Sequence, residues 1–202
     1  MQTRPGHSDS SVPSDGLPRR PDLPRCRYVG DLITDLCDVQ RPGRSRTVPP
    51  MTAEGFVPFG FEPPTSLATD DFRLKPLGPQ HNVADHAAWT SSIEHIRATP
   101  GFPDGDWPPP EGMTLERNLA DLRRHADDFE HGKGFTFTVL DPADDDVIGC
   151  VYLYPSPSAE WDVWAQSWVR ADRADLDKPL ADAVARWLET DWPWERVDRC
   201  GR

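Results

Sequence analysis

The chain has 202 residues, with 22 Lys+Arg against 34 Asp+Glu and a formal net charge of −12. No apolar run approaches the roughly 18 residues that a membrane span needs, and so acidic a chain lacks the clustered cations that phosphate-backbone binding requires. Four cysteines are too few for a disulfide scaffold, and Arg19-Arg20 is followed by Pro21 to Arg27 instead of an apolar stretch, so a reducing cytoplasm with no nucleic-acid or membrane partner is expected.

The first fifty residues hold eight of the 23 prolines and carry a charge of +2, whereas the rest carries −14. Beyond Tyr28–Leu36 they show little hydrophobic periodicity and bury too little to offset their ordering entropy. Residues 1–66 are therefore expected to be a disordered extension, or a mis-assigned one if Met51 is the start, and 67–202 a folded domain. Phe72, Leu74 and Leu77 mark a strand. Asn82 stands three residues before Asp85 as a helix cap, and Val83, His86, Trp89, Ile93 and Ile96 follow as one apolar stripe ended by Pro100. The next stretch, to Gly112, is rich in proline and glycine and reads as a loop.

Thr114 caps a second helix whose edge is Leu115, Leu119, Leu122, Ala126 and Phe129, and Gly132 and Gly134 stop it. Three strands follow, Phe135–Leu140, Val147–Tyr154 and Trp161–Arg170, separated by polar turns short enough for antiparallel hairpins. Asp177-Lys178-Pro179 opens a last helix with the stripe Leu180, Ala183, Val184, Trp187 and Leu188. Arg196–Cys200 makes a final strand. A strand–helix–strand unit at that end requires a right-handed crossover and a parallel pair. The fold class is thus α+β in layers: a mixed, mostly antiparallel sheet with one parallel pair and helices on both faces.

These residues resemble the GCN5-related N-acetyltransferases (GNAT) over roughly Thr69 to Arg202. Phe72-Arg73-Leu74-Lys75-Pro76-Leu77 is similar to that family's opening strand and Val147-Ile148-Gly149-Cys150-Val151-Tyr152-Leu153 to its third. Trp168-Val169-Arg170 resembles the end of its fourth strand, and Leu180 to Leu188 the helix that follows. The resemblance implies acetyl-CoA as cofactor, entering where the fourth and fifth strands splay. Its pantetheine would pair with backbone near Trp168, Val169 and Arg170, and its diphosphate would rest on the following helix near Arg173 and Lys178.

Two departures stand out. The family's glycine-bearing diphosphate loop is replaced by Ala171-Asp172-Arg173-Ala174-Asp175-Leu176-Asp177-Lys178-Pro179, with no glycine and a proline that removes a donor. Two like charges at about 4 Å repel by about 4 kcal/mol at an effective dielectric of 20. Asp175 and Asp177 are expected to cap the helix instead. The family also continues with a further helix and two strands, whereas here Cys200 is two residues from the end. The last strand is then an edge, to be covered by a second copy in a homodimer or by the N-terminal segment.

Amine acylation needs a base, oxyanion donors and a proton for the leaving sulfur. Glu160 and Asp162 occupy the region where the family places its base, although solvated carboxylates at the start of a strand look the same. Tyr152 and Tyr154 share a face and suit a proton donor to sulfur, or are core tyrosines. Trp89, Glu94, His95, Phe102 and Trp107 are candidates for the acceptor side, which packing alone would also explain. No metal site is expected, because His81/His86 and His125/His131 lack ligand spacing. Cys150 and Cys200 read as separate buried thiols. Two functions remain: an acyl-CoA-dependent N-acyltransferase for a small-molecule or protein amine, or a non-catalytic binding or regulatory module of the same fold that has lost the diphosphate loop.

Overall fold

Phe135, Phe137 and Val139 alternate with Thr136, Thr138 and Leu140, and this period of two gives the sheet its two buried faces. The computed structural model describes residues 55–102 and 107–200; the expectations for the first fifty residues, Tyr28–Leu36 included, lie outside them. Six strands lie in sequence order: β1 (Leu67–Ala68), β2 (Arg73–Pro76), β3 (Phe135–Leu140), β4 (Val147–Pro155), β5 (Val163–Val169) and β6 (Val197–Asp198). Neighbours are antiparallel except β5 and β6, which are parallel. α1 (Asn82–Thr90), α2 (Ile93–Ala98) and α3 (Leu115–Glu130) cover one face, and α4 (Asp177–Asp191) covers the other. This is the mixed α+β layout that the order of elements and the GNAT resemblance both imply.

The α4 stripe is buried as its spacing predicts: Leu180, Ala183, Val184, Trp187 and Leu188 join Phe137, Val151 and Val169 in one cluster. Each fully buried Leu there contributes about 1.5–3 kcal/mol. Thr114 caps α3 by accepting from the Arg117 amide at 3.2 Å, and Gly132 takes the left-handed φ of 63° that ends it. Gly134 has a different reason to be glycine, since a Cβ there would meet the Tyr154 ring at 2.2 Å.

Four expectations need correction. The first helix is broken at Ser91 and Ser92, where Ser91 Oγ and Thr90 Oγ1 bond back to the carbonyls of Ala88 and His86. Its N-cap is His81, after a 3-10 turn at Pro79–His81. Asn82 and Asp85 instead lie buried beside Asn118 of α3, whose Nδ2 donates to both at 3.0 Å while its Oδ1 accepts from Trp89 Nε1 at 2.9 Å. Asp175 and Asp177 do not cap α4, because the residue at that position is Leu176, which makes no side-chain cap bond. The folded chain also begins before residue 67: Phe56, Val57 and Phe61 pack on the α4-side cluster, and Trp194 Nε1 donates to the Phe56 carbonyl at 2.9 Å. Among the described residues no strand lies beyond β6, and no helix is long and apolar enough to cross a membrane.

Between β3 and β4 the register shifts at Val139/Leu140, so Ile148 is an extra residue in a bulge. Ile148 therefore joins the α4-side cluster, while Val147 and Cys150 face the other. Gly149 beside it sits hard against β5.

Candidate functional site

β5 and β6 part company almost at once. Val163 pairs with Val197 and Trp164 with Asp198, and there the pairing ends. Beyond the pair, Cys200 takes a φ of 53° with its amide on Asp198 Oδ1. On its other side β5 bonds β4 through even-numbered residues, as Ser156 N to Asp162 O and Arg170 N to Ile148 O show. Strand alternation directs the peptide groups of Ala165, Ser167 and Val169 toward the β6 side, beyond the last paired residue. A narrow cleft of about 30 Å3 opens there between Ala165–Ser167, the α4 residues Ala181, Val184, Ala185 and Leu188, and Arg199. The parallel pair that the order of elements implied is thus present, over two residues.

The side chains of Trp164, Gln166 and Trp168 point to the α1–α3 face. Trp168 donates Nε1–H to the Tyr152 hydroxyl at 3.2 Å. Trp107 lies within ring contact of Trp89, Phe102, Tyr152 and Trp168, at 5.7–6.2 Å between centroids. The structure therefore brings Trp89, Trp107, Tyr152 and Trp168 together, in a buried cluster; Val169 lies in the opposite, α4-side cluster. Glu94 is exposed on α2 and outside the group. Tyr154 OH lies 2.7 Å from His125 Nδ1 and donates to Asp128 at 3.0 Å. Burial raises the Tyr154 pKa and, with nearby Arg124 as a lesser cause, lowers that of His125 to about 3, so both are neutral at physiological pH.

At the other end of β5 every cation named from the resemblance already holds a carboxylate. Arg170 binds Asp172 through Nε and Nη2 at 2.6 and 2.9 Å and Asp146 through Nη1 at 2.7 Å. The hydrogen bonds it donates to Asp172 and Asp146 push its pKa up, and Arg170 holds the Asp172 carboxyl below its usual range. Arg173 is paired with Asp141, and Lys178 with Asp182. A cleft of about 460 Å3 lies beside Arg170, walled by Ala84 and Ala87 of α1 and by Ser91 just after it. Where the family's glycine loop would be, Ala171–Leu176 forms 3-10 turns, with the Ala171 amide on Ser92 Oγ at 2.9 Å.

Of the two carboxylates at the start of β5, Glu160 is exposed. Asp162 pins the chain leading into β6: it accepts from the amides of Glu195 and Arg196 at 3.3 and 2.9 Å and from Arg196 Nε at 3.0 Å. Those Arg196 hydrogen bonds hold its carboxyl below the usual range. A group with a depressed folded-state pKa stabilises above the unfolded value and loses that contribution as pH falls through the folded value. Asp162→Ala should therefore cost about 1 kcal/mol at pH 7, a discounted figure for a solvent-screened pair. The deficit should shrink below about pH 4. Urea unfolding at pH 7 and pH 3 checks this, and an equal deficit at both would contradict it.

No family model matches the chain, and no curated protein matches it. Solved structures similar to it include ribosomal-protein-S5-alanine acetyltransferase from Vibrio fischeri, 13% identical over 62% of this chain and 68% of that one, TM-score 0.47. Another is RimL, the ribosomal L7/L12 alpha-N-protein acetyltransferase, in complex with coenzyme A (11%, 62% and 69%, TM-score 0.48). A third is an acetyltransferase from Thermus thermophilus (20%, 59% and 70%, TM-score 0.44). None assigns a residue of this chain.

One residue of β5 was not foreseen from the sequence. Gln166 sits in an otherwise buried apolar and small-residue run, Val163 to Val169, on the row shared by Trp164 and Trp168. A long polar side chain on a core-facing row was the available signal.

Proposed function

We propose that the chain is an N-acyltransferase that takes an acyl group from a pantetheine thioester such as acetyl-CoA and passes it to an amine of a small molecule or protein. The observation that carries this reading is the mixed sheet with its single parallel pair, β5 beside β6. Beyond Trp164 the odd-numbered peptide groups of β5 point to the β6 side, where the amides of such a donor's arm would lie. The cations do not fit the diphosphate, because Arg170, Arg173 and Lys178 would each have to exchange a carboxylate for it. When bound, the thioester supplies an activated acyl carbon. Tyr152, oriented by Trp168 Nε1, is the group assigned to hand a proton to the departing sulfur. With Asp162 committed to Arg196, Glu160 is the carboxylate assigned to keep the amine neutral. The buried thiols of Cys150 and Cys200 suit a reducing cytoplasm.

The paired cations favour a second reading, a non-catalytic module of this fold. Calorimetry with acetyl-CoA separates the two. Binding at micromolar concentration is expected for the enzyme, and no heat at millimolar concentration leaves the module.

A further inference from the structure

At the joint between α1 and α3 the side chain of Asn118 is fully committed. Its Nδ2 donates to Asn82 and to Asp85, both at 3.0 Å, and its Oδ1 accepts from Trp89 Nε1 at 2.9 Å. Asn82, Asp85 and Asn118 are all buried, so little water reaches the joint. Asp85 accepts that one N–H from Asn118 and forms no ion pair among the described residues. The charged and titratable groups that act on it are His86 of α1, Asp121 of α3 and Cys150 of β4. Of these only His86 can be a cation, and its Nε2 lies 2.8 Å from the Met113 carbonyl. Asp121 is a like charge, and Cys150 is a thiol whose own pKa is raised, first by burial and then by Asp85. A carboxylate with one hydrogen bond and no counter-charge keeps most of its desolvation cost, which the neutral carboxyl does not bear.

The same helix is a wall. Ala84, Ala87 and Ala88 line the cleft of about 460 Å3 beside Arg170, and Ser92, between α1 and α2, accepts from the Ala171 amide at 2.9 Å. With nine residues, α1 is too short to persist unaided, so its place depends on its contacts with α3 and β4. We propose that α1 is a proton-controlled wall of this cleft: the neutral Asp85 carboxyl keeps the helix on α3, and loss of its proton to water lets the helix part from α3 and widens the cleft. The device is independent of what the cleft binds and of the acyltransferase reading. Its direction follows from the burial. With α1 lifted, Asp85 stands in water and titrates at its ordinary value of 3.8; with α1 seated, burial raises that value to about 6. The seated form is therefore fully favoured below the lower value and loses ground as pH rises through the higher one.

Amide hydrogen exchange of the full chain at about pH 5.5 and about pH 8, divided by the intrinsic rates, reads the opening directly. The amides of residues 86–90 in α1, and that of Ala171, are expected to open about fourfold more at the higher pH, the ratio that the seated and lifted values of Asp85 give. Amides of α4, on the other face of the sheet, should show no such rise. Asp85→Asn keeps an acceptor for Asn118 Nδ2 without the charge, and the rise in α1 should vanish in it; Asp85→Ser serves the same purpose should the asparagine variant not fold. A rise of equal size in α1 and α4 would make Asp85 a determinant of global stability alone and overturns the proposal. So does a rise in α1 that survives in the variant, or an opening of α1 that is the same at both pH values in the unaltered chain.

Discussion

Asp85→Asn unfolds at higher urea concentration than the unaltered chain at pH 8 and at nearly the same concentration at pH 4. Asp85 is 4% exposed between α1 and α3, and burial raises its carboxyl pKa to about 6, against the opposing hydrogen bond from Asn118. A carboxyl whose folded-state pKa lies above its unfolded value of about 3.8 contributes fully below the lower value and loses that contribution as pH rises through the higher one. At about 1.4 kcal/mol per pKa unit the loss reaches about 3 kcal/mol by pH 8. Asparagine keeps an acceptor for Asn118 Nδ2 and carries no charge, so the variant recovers up to that amount. The comparison must be between the two proteins. His125, with its pKa lowered to about 3, gains stability as pH rises over the same range and masks Asp85 in the profile of either alone. A variant no more stable than the parent at pH 8 would contradict the account.

Gly149→Ala should cost about 3 kcal/mol or more, at or beyond the upper end of overpacking. Its Cβ would lie 2.3 Å from the Trp168 carbonyl oxygen and 3.2 Å from Val169 Cα. Both are backbone atoms of the neighbouring strand, so no side chain can swing aside. Gly149 stands opposite Val169 at the end of β5 where the Arg170 ion pairs begin, so the added carbon would also force β5 away from β4 there. Equilibrium urea unfolding measures it, and a loss under 1 kcal/mol would mean that β4 and β5 do not approach so closely.

What was legible in the sequence follows how local its cause is. The α4 stripe and the Thr114 cap depend on spacings within one or two turns, and both stand as read. The break between α1 and α2 does not: Ser92 is tied to the amide of Ala171, 79 residues on, and no window of sequence contains both. Asn82 and Asp85 carry a capping pattern yet are drawn into the α1–α3 contact by Asn118. Phe56 and Phe61 stand among prolines and glycines that suggest a loose segment, but rings can bury without regular backbone, as Phe56 does against Phe135 and Trp194. The parallel pair was legible; the unmet amide of Gln166 was not, because satisfaction is a property of neighbours in space.

The ring of Phe56 stacks on Trp194 at 4.5 Å, and Trp194 on Trp192 at 4.7 Å with planes 11° apart. Trp194 stands three residues before β6. The first described residues and the approach to β6 therefore share an aromatic pin. A load placed on Phe56, by tether or by bound protein, would reach β6 through stacked rings and not through the sheet.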